Sequence, residues 1–487
     1  MAKSPWSRHR SITAALAATL STLVACGEDE TPPDQTPSNQ AKLRVIHASS
    51  DAPAVDIYAE GQSTPLFTNV KYGDATAYAT VPAGTYNVQV RAAGALASSA
   101  PVYSTGPLVL GTGHTVSAVA AGLLASTDAT SAFRVLPLTE GFNPPADGKT
   151  RVRIVHAGAD APTVSIDVGD DGSSEITGLQ RFQDTGATGV ELPSGQALQV
   201  GIRAANQRVT AFTVPALPSR GEVFVIATGQ LSQKPSAAGG FGLLAAGVGL
   251  VRQNPVVYAL HASPDAPAVD LFLGNTELVN NLAFGQLSAS LQVPPGSYTL
   301  DFFASVHGGT RPAGAPVASR TTPALVAGES YLTVASGFLS PDLADPTGAP
   351  FELLAFSEGF TADASNVRLR LVHASPDAPM VDVSPLEGGL VPAHAAYNDV
   401  PYRLASAPEG LSLPDLQVYV GVAASAASSR SPTARFQVPF GFFAGRGVFA
   451  VAAGALSPRP GIDAGFRLVT VDTSTSPWSA LNLFPLP

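Results

Sequence analysis

Four histidines, each followed at fixed spacing by an aspartate and a proline, are the residues most able to do chemistry. The sets are His47, Asp51 and Pro53; His156, Asp160 and Pro162; His261, Asp265 and Pro267; and His373, Asp377 and Pro379. A second aspartate follows in three of them, Asp56, Asp270 and Asp382, whereas Ser165 stands there in the second. Imidazole and carboxylate are ligands for zinc and other divalent ions, and a His–Asp pair is the core of many general-base arrangements. On that reading the chain is a metal-dependent hydrolase with its site repeated four times.

Strand periodicity points elsewhere. Alternate side chains of a strand share a face, so Leu43, Val45 and His47 lie together while Arg44 points away. The same holds for Val152, Ile154 and His156 against Arg151 and Arg153, and for Leu369, Leu371 and His373 against Arg368 and Arg370. The histidines therefore belong to the apolar face. The later aspartate does the reverse, since Val55 and Ile57 share one face and Asp56 takes the other. A buried neutral imidazole needs a partner, and Asp51, Asp265 or Asp377, or a backbone carbonyl of the Asp-Ala-Pro turn, is in reach. The expectation is that the motif is structural, with no metal, cofactor or catalytic residue. Each proline suits a turn that starts an edge strand, because it fixes φ and lacks an amide donor.

The histidines are spaced by 109, 105 and 112 residues, so the motif marks four copies of one module. A second marker, Ala-x-Gly-x-Leu, follows each: Ala120-Ala121-Gly122-Leu123-Leu124, Ala227-Thr228-Gly229-Gln230-Leu231, Ala335-Ser336-Gly337-Phe338-Leu339 and Ala452-Ala453-Gly454-Ala455-Leu456. Closing strands then begin at Phe133, Phe241, Phe351 and Phe466. A Pro-x-Gly turn lies midway at Pro82–Gly84, Pro193–Gly195 and Pro294–Gly296, and is altered to Leu413-Pro414-Asp415-Leu416 in the fourth copy. In the first copy the apolar runs predict strands near 43–48, 54–59, 66–71, 76–81, 85–91, 107–110, 114–121 and 133–139. That density predicts an all-β chain of four tandem β-sandwich modules of immunoglobulin-like size, over 42–142, 150–250, 255–360 and 366–475, with 476–487 as a C-terminal tail.

The His-Ala-Ser-Pro-Asp-Ala-Pro-x-Val-Asp motif, with the later Pro-Ala-Gly turn, closely resembles the bacterial domain-of-unknown-function 4397 family. The resemblance covers essentially all of residues 41–475; the second copy departs from it, with Gly158-Ala159 for Ser-Pro and Ser165 for the last Asp. It implies a β-sandwich surface module, often tandem and exported, and supplies no catalytic residues, because the family has no established activity.

The N-terminus adds a location. Lys3, Arg8 and Arg10 precede an apolar run from Ile12 to Ala25, about 14 residues long and too short to span a bilayer, which reads as a signal peptide over 1–25. Leu23-Val24-Ala25-Cys26 resembles the bacterial lipobox, so Cys26, the only cysteine, is expected to carry a lipid anchor. The acidic, Pro-rich stretch to residue 41 would serve as a tether. Gly27 after the cysteine, in place of Asp, favours the outer membrane. Removing the three cations of the leader takes the net charge from −10 to −13, a surface that repels nucleic acid.

No Walker pattern and no Gly-x-Ser-x-Gly elbow occurs. The expected function is a non-enzymatic membrane-anchored lipoprotein, a structural, adhesive or binding array with an extracellular polymer or protein as partner. The alternatives are the hydrolase above and an envelope or matrix glycan-binding protein, for which Tyr58, Tyr72, Tyr78, Tyr103, Phe272, Tyr397 and Tyr402 are the stacking candidates. Four modules of about 35–40 Å stacked end to end would reach about 100 Å or more.

Overall fold

A computed structural model describes residues 39–306, 309–341, 348–413, 417–425, 430–439, 443–457 and 464–487. The described residues from Gln40 onward belong to one compact unit, Gln40–Pro487. The segment expected to be a signal peptide, Cys26 and nearly all of the expected tether lie outside the described residues, as do Pro414, Asp415 and Leu416 of the altered turn. No helix occurs among the described residues.

Every short apolar run of the first copy becomes a strand, because alternation gives each one a face to bury and Gly or Pro ends it. They are β1 (Gln40–His47), β2 (Val55–Ala59), β3 (Phe67–Val70), β4 (Ala79–Pro82), β5 (Gly84–Ala92), β6 (Tyr103–Leu110), β7 (Thr115–Ala121) and β8 (Arg134–Thr139). They form two four-stranded sheets, β4-β1-β7-β8 and β3-β2-β5-β6. β1 and β7 run parallel, with His47 opposite Ala120. Between the sheets lies an aliphatic core that includes Leu43 and Val45 of β1, Ile57 of β2, Val90 of β5 and Val116 of β7.

The other copies repeat this plan, and each His strand pairs in parallel with its Ala-x-Gly strand. Two of the His sheets gain a fifth strand, Gly249–Arg252 in module 2 and Ser479–Leu483 in module 4. Module 2 thus runs past residue 250. The segment expected to be a tail is also part of a sheet: Ser479–Leu483 pairs antiparallel with Arg467–Asp472. The prolines do not start edge strands, since β2, which follows Pro53, is hydrogen-bonded on both sides. Proline fits there because it stands before the ladder begins.

The modules pair face to face. The outer face of the first His sheet, with Ile46 and Val119, packs on that of the second, with Val155, Phe224 and Ile226, in one cluster of buried residues. Modules 3 and 4 do the same through Leu260, Leu332, Val372, Phe449 and Val451. These contacts are as dry as the cores, with Ile46, Phe224, Leu332 and Phe449 all at 0% exposure. Matching hydrogen bonds cross both interfaces. Arg153 Nη1 donates to the Thr139 carbonyl at 2.7 Å, and Arg370 Nη1 to the Ser357 carbonyl at 2.6 Å. Thr228 Oγ1 donates to the Ala48 carbonyl at 2.6 Å, and Ser336 Oγ to the Ala374 carbonyl at 2.8 Å.

Where module 2 meets module 3 the contact is polar. Gln292 accepts from the Ala211 amide at 2.9 Å and donates to Thr210 at 3.1 Å. Thr210 in turn donates to Gln253 at 2.6 Å. Lys234 of module 2 is ion-paired with Glu358. The described chain is therefore two apolar face-to-face pairs joined by a hydrogen-bonded seam, and not four modules stacked singly end to end.

Candidate functional site

The repeated motif builds a clasp. In β1 the side chain of His47 falls on the inward face and is almost wholly buried. Its Nε2 lies 3.2 Å from the carbonyl oxygen of Pro53, six residues on. The same bond forms at 2.8 Å in His156–Pro162, and at 2.9 Å in both His261–Pro267 and His373–Pro379. A neutral ring protonated on Nε2 satisfies this bond, leaving Nδ1 as an acceptor. Nδ1 receives the amides of Ser49, Gly158 and Ser375 at 3.3–3.4 Å in three copies. Of the two partners expected for the imidazole, the backbone carbonyl is the one found. Burial holds all four imidazoles below the ordinary histidine pKa.

The aspartate four residues on reaches across to the Ala-x-Gly segment. Asp51 accepts from the Leu124 and Ala125 amides at 2.7 and 2.9 Å. Asp160 takes those of Leu231 and Ser232, Asp265 those of Leu339 and Ser340, and Asp377 those of Leu456 and Ser457, all at 2.6–3.0 Å. The glycine before these amides is what lets the turn form. Gly337 has φ +88°, and a Cβ there would run into the carbonyl of Pro350; Gly122, Gly229 and Gly454 are built alike. The two sequence markers, whose bonded residues are 71 to 80 positions apart, are thus the halves of one structure that ties the start of each module to its end.

The later aspartates lie on the opposite face, away from the histidines, and are buried by backbone donors of their own. Asp56 accepts from the Asn69 and Gly94 amides at 2.7 and 2.9 Å, and Asp270 from those of Asn281 and Val306 at 2.7 and 3.0 Å. Asp382 binds the Asp399 amide, Ser425 and Arg430. The second copy does not lose this feature: Asp167, two residues after Ser165 and so on the same face, is fully buried and accepts from the Asp171 and Gly172 amides. The period-two step from Ser165 was the available signal.

The geometry leaves little for the motif to do chemically. Histidine and aspartate find their partners separately, and in three copies both ring nitrogens are occupied, which leaves no lone pair for a metal. Among the described residues no group of three or more His, Cys, Asp or Glu side chains could hold an ion. The aromatic candidates are mostly spent inside: Tyr58, Phe272 and Tyr397 are buried, Tyr72 and Tyr402 pack edge-on against His47 and His373, and Tyr103 packs on Phe133. Tyr78 is 41% exposed, but Arg44 covers its ring and Glu140 accepts its hydroxyl.

The sequence model of the domain of unknown function DUF4397 matches residues 41–167 and 255–384, more than half of the chain. Each match runs through one module and into the His segment of the next. No curated relative matches the chain. Among solved structures, the TIE protein of Bacillus anthracis aligns with 82% of this chain and 65% of its own, at 9% identity and a TM-score of 0.14, so this chain spans less than two thirds of that one. With the His-Asp-Pro clasp in every module and the family model covering both halves, the chain belongs to the DUF4397 family and carries its domain in tandem.

Proposed function

We propose that the protein is a non-enzymatic surface lipoprotein, anchored through Cys26 to the outer membrane, whose four sandwiches form a structural, adhesive or binding array. The observation that carries this reading is the fourfold use of the chemistry-bearing residues as internal fasteners: His47, Asp51 and their counterparts are buried or bonded to backbone in every copy. The loops differ between modules, since the connection over 93–102 in the first is only 205–206 in the second, and a rigid frame presents such loops to partners. The lipobox-like Leu23–Cys26 segment and the acidic tether supply the anchoring half of the proposal.

Cells expressing the chain and fed labelled palmitate test it. Label is expected on the parent and not on Cys26→Ala, and external protease should degrade the parent on intact cells. Unlabelled protein, or protein protected until the cells are lysed, would overturn the reading.

A further inference from the structure

The seam between the two module pairs encloses a cleft of about 340 Å³. That falls within the roughly 300–1,000 Å³ of small-molecule sites, which favour domain boundaries. Module 2 contributes Ser232 and Lys234 to the walls; the 3–4 pair contributes Tyr258, Ser290, Glu358 and Trp478. The aromatic wall is fixed: Trp478 stacks on Tyr258 with ring centroids 4.4 Å apart and planes 9° apart, and its backbone amide donates to the Tyr258 hydroxyl at 3.2 Å.

Charge decides the class of ligand. Lys234 is paired with Glu358, so the two charges in the cleft cancel. Thr473 Oγ1 donates to the same carboxylate oxygen, Oε1, which leaves Oε2 as an acceptor and the Lys234 ammonium with further donors. An ionic ligand would have to break this pair, and an apolar one would cover a carboxylate, an ammonium and hydroxyls without replacing their hydrogen bonds to water. A neutral ligand rich in hydroxyls, each both donor and acceptor, meets all of these groups. The Lys234–Glu358 pair also borders a second hollow of about 380 Å³, so the space continues past it.

We propose that this cleft binds one or two residues of a neutral saccharide, bridging the two module pairs. This deepens the array reading by giving it a ligand class, and it rests on that reading only for the ligand's source in the cell. The purified full chain, in a detergent without a sugar headgroup, is titrated calorimetrically with cellotetraose, chitotetraose and mannotetraose. At least one is expected to bind at one site per chain. Ser290→Trp, which fills the cleft from an exposed position, should abolish binding while melting like the parent, and Lys234→Ala should weaken it tenfold or more. Should Ser290→Trp fail to fold, Lys234→Ala decides alone. Absence of binding by all three saccharides, or binding unchanged in the variants, would overturn the site while leaving the anchor and its labelling test untouched.

Discussion

At the scale of single residues, the four histidines act as neutral hydrogen-bonding cores, and this fixes how stability depends on pH. Desolvation dominates at each ring and lowers its folded pKa from the ordinary 6.5, against weaker raising contributions from the proline carbonyls and, near His47 and His261, from Asp74, Asp51 and Asp265. Arg181 lowers His156 further. An unfolded chain therefore takes up protons below about pH 6.5 that the folded chain refuses, and the stability of the four rings, complete above that pH, is lost as pH falls toward the depressed folded values. The protonated ring would also turn an Nδ1–H toward the Ser49 amide, donor against donor. Thermal melts from pH 7.5 to 5.0 should show a steady fall in Tm beginning near 6.5; a flat profile would contradict neutral, buried imidazoles.

At the scale of elements, each His strand serves two cores. Its inward face fills the sandwich and its outward face fills the joint with another module, so β1 and its counterparts are buried on both sides, as central strands of covered sheets are. Arginine is part of that joint. Arg44 lies 5.3 Å and Arg153 5.6 Å from the Phe224 ring, and Arg370 lies 5.5 Å from Phe449. At the corresponding position of module 3 the residue is Tyr258, and Trp478 covers it. Phe224→Ala should leave a cavity between modules 1 and 2 and cost about 3–5 kcal/mol, the usual range for a buried aromatic. Denaturant unfolding of the variant measures this, and a loss under about 1 kcal/mol would mean that the interface does not hold the pair together.

For the whole molecule, the contrast between apolar joints and a polar seam sets the cooperative units. Dry interfaces couple modules 1 with 2 and 3 with 4, while the contact between the pairs rests on Gln253, Gln292, Thr210 and one ion pair. Calorimetry of the chain should resolve two transitions and not four, with Phe224→Ala moving only one of them. Four separable transitions would show modules that fold independently despite the shared faces. Pairing also shortens the chain relative to single modules in file.

Much of this was legible in the residues alone. The repeat, the all-β class, the strands of the first copy, the inward face of the histidines and the outward face of Asp56 all follow from period-two alternation and local turn chemistry, which depend on near neighbours in the chain. The joining of Asp51 to Leu124 and Ala125 was not legible, because backbone amides carry no sequence signature and the partner lies 73 and 74 residues away. Arg44, Arg153 and Arg370 marked the outer face correctly, but a charged side chain carries no sign of what covers it. That Ile46, Phe224 and Phe449 on that face meet another module, and that Trp478, beyond the last expected strand, closes one wall of the cleft, is visible only once the chain is folded. The residues alone set the strands of each module and the face that each one buries, because both rest on alternation along the chain; the order of the strands, the parallel pairing of each His strand and the way the modules join depend on complementary surfaces far apart in the chain, which no local pattern records.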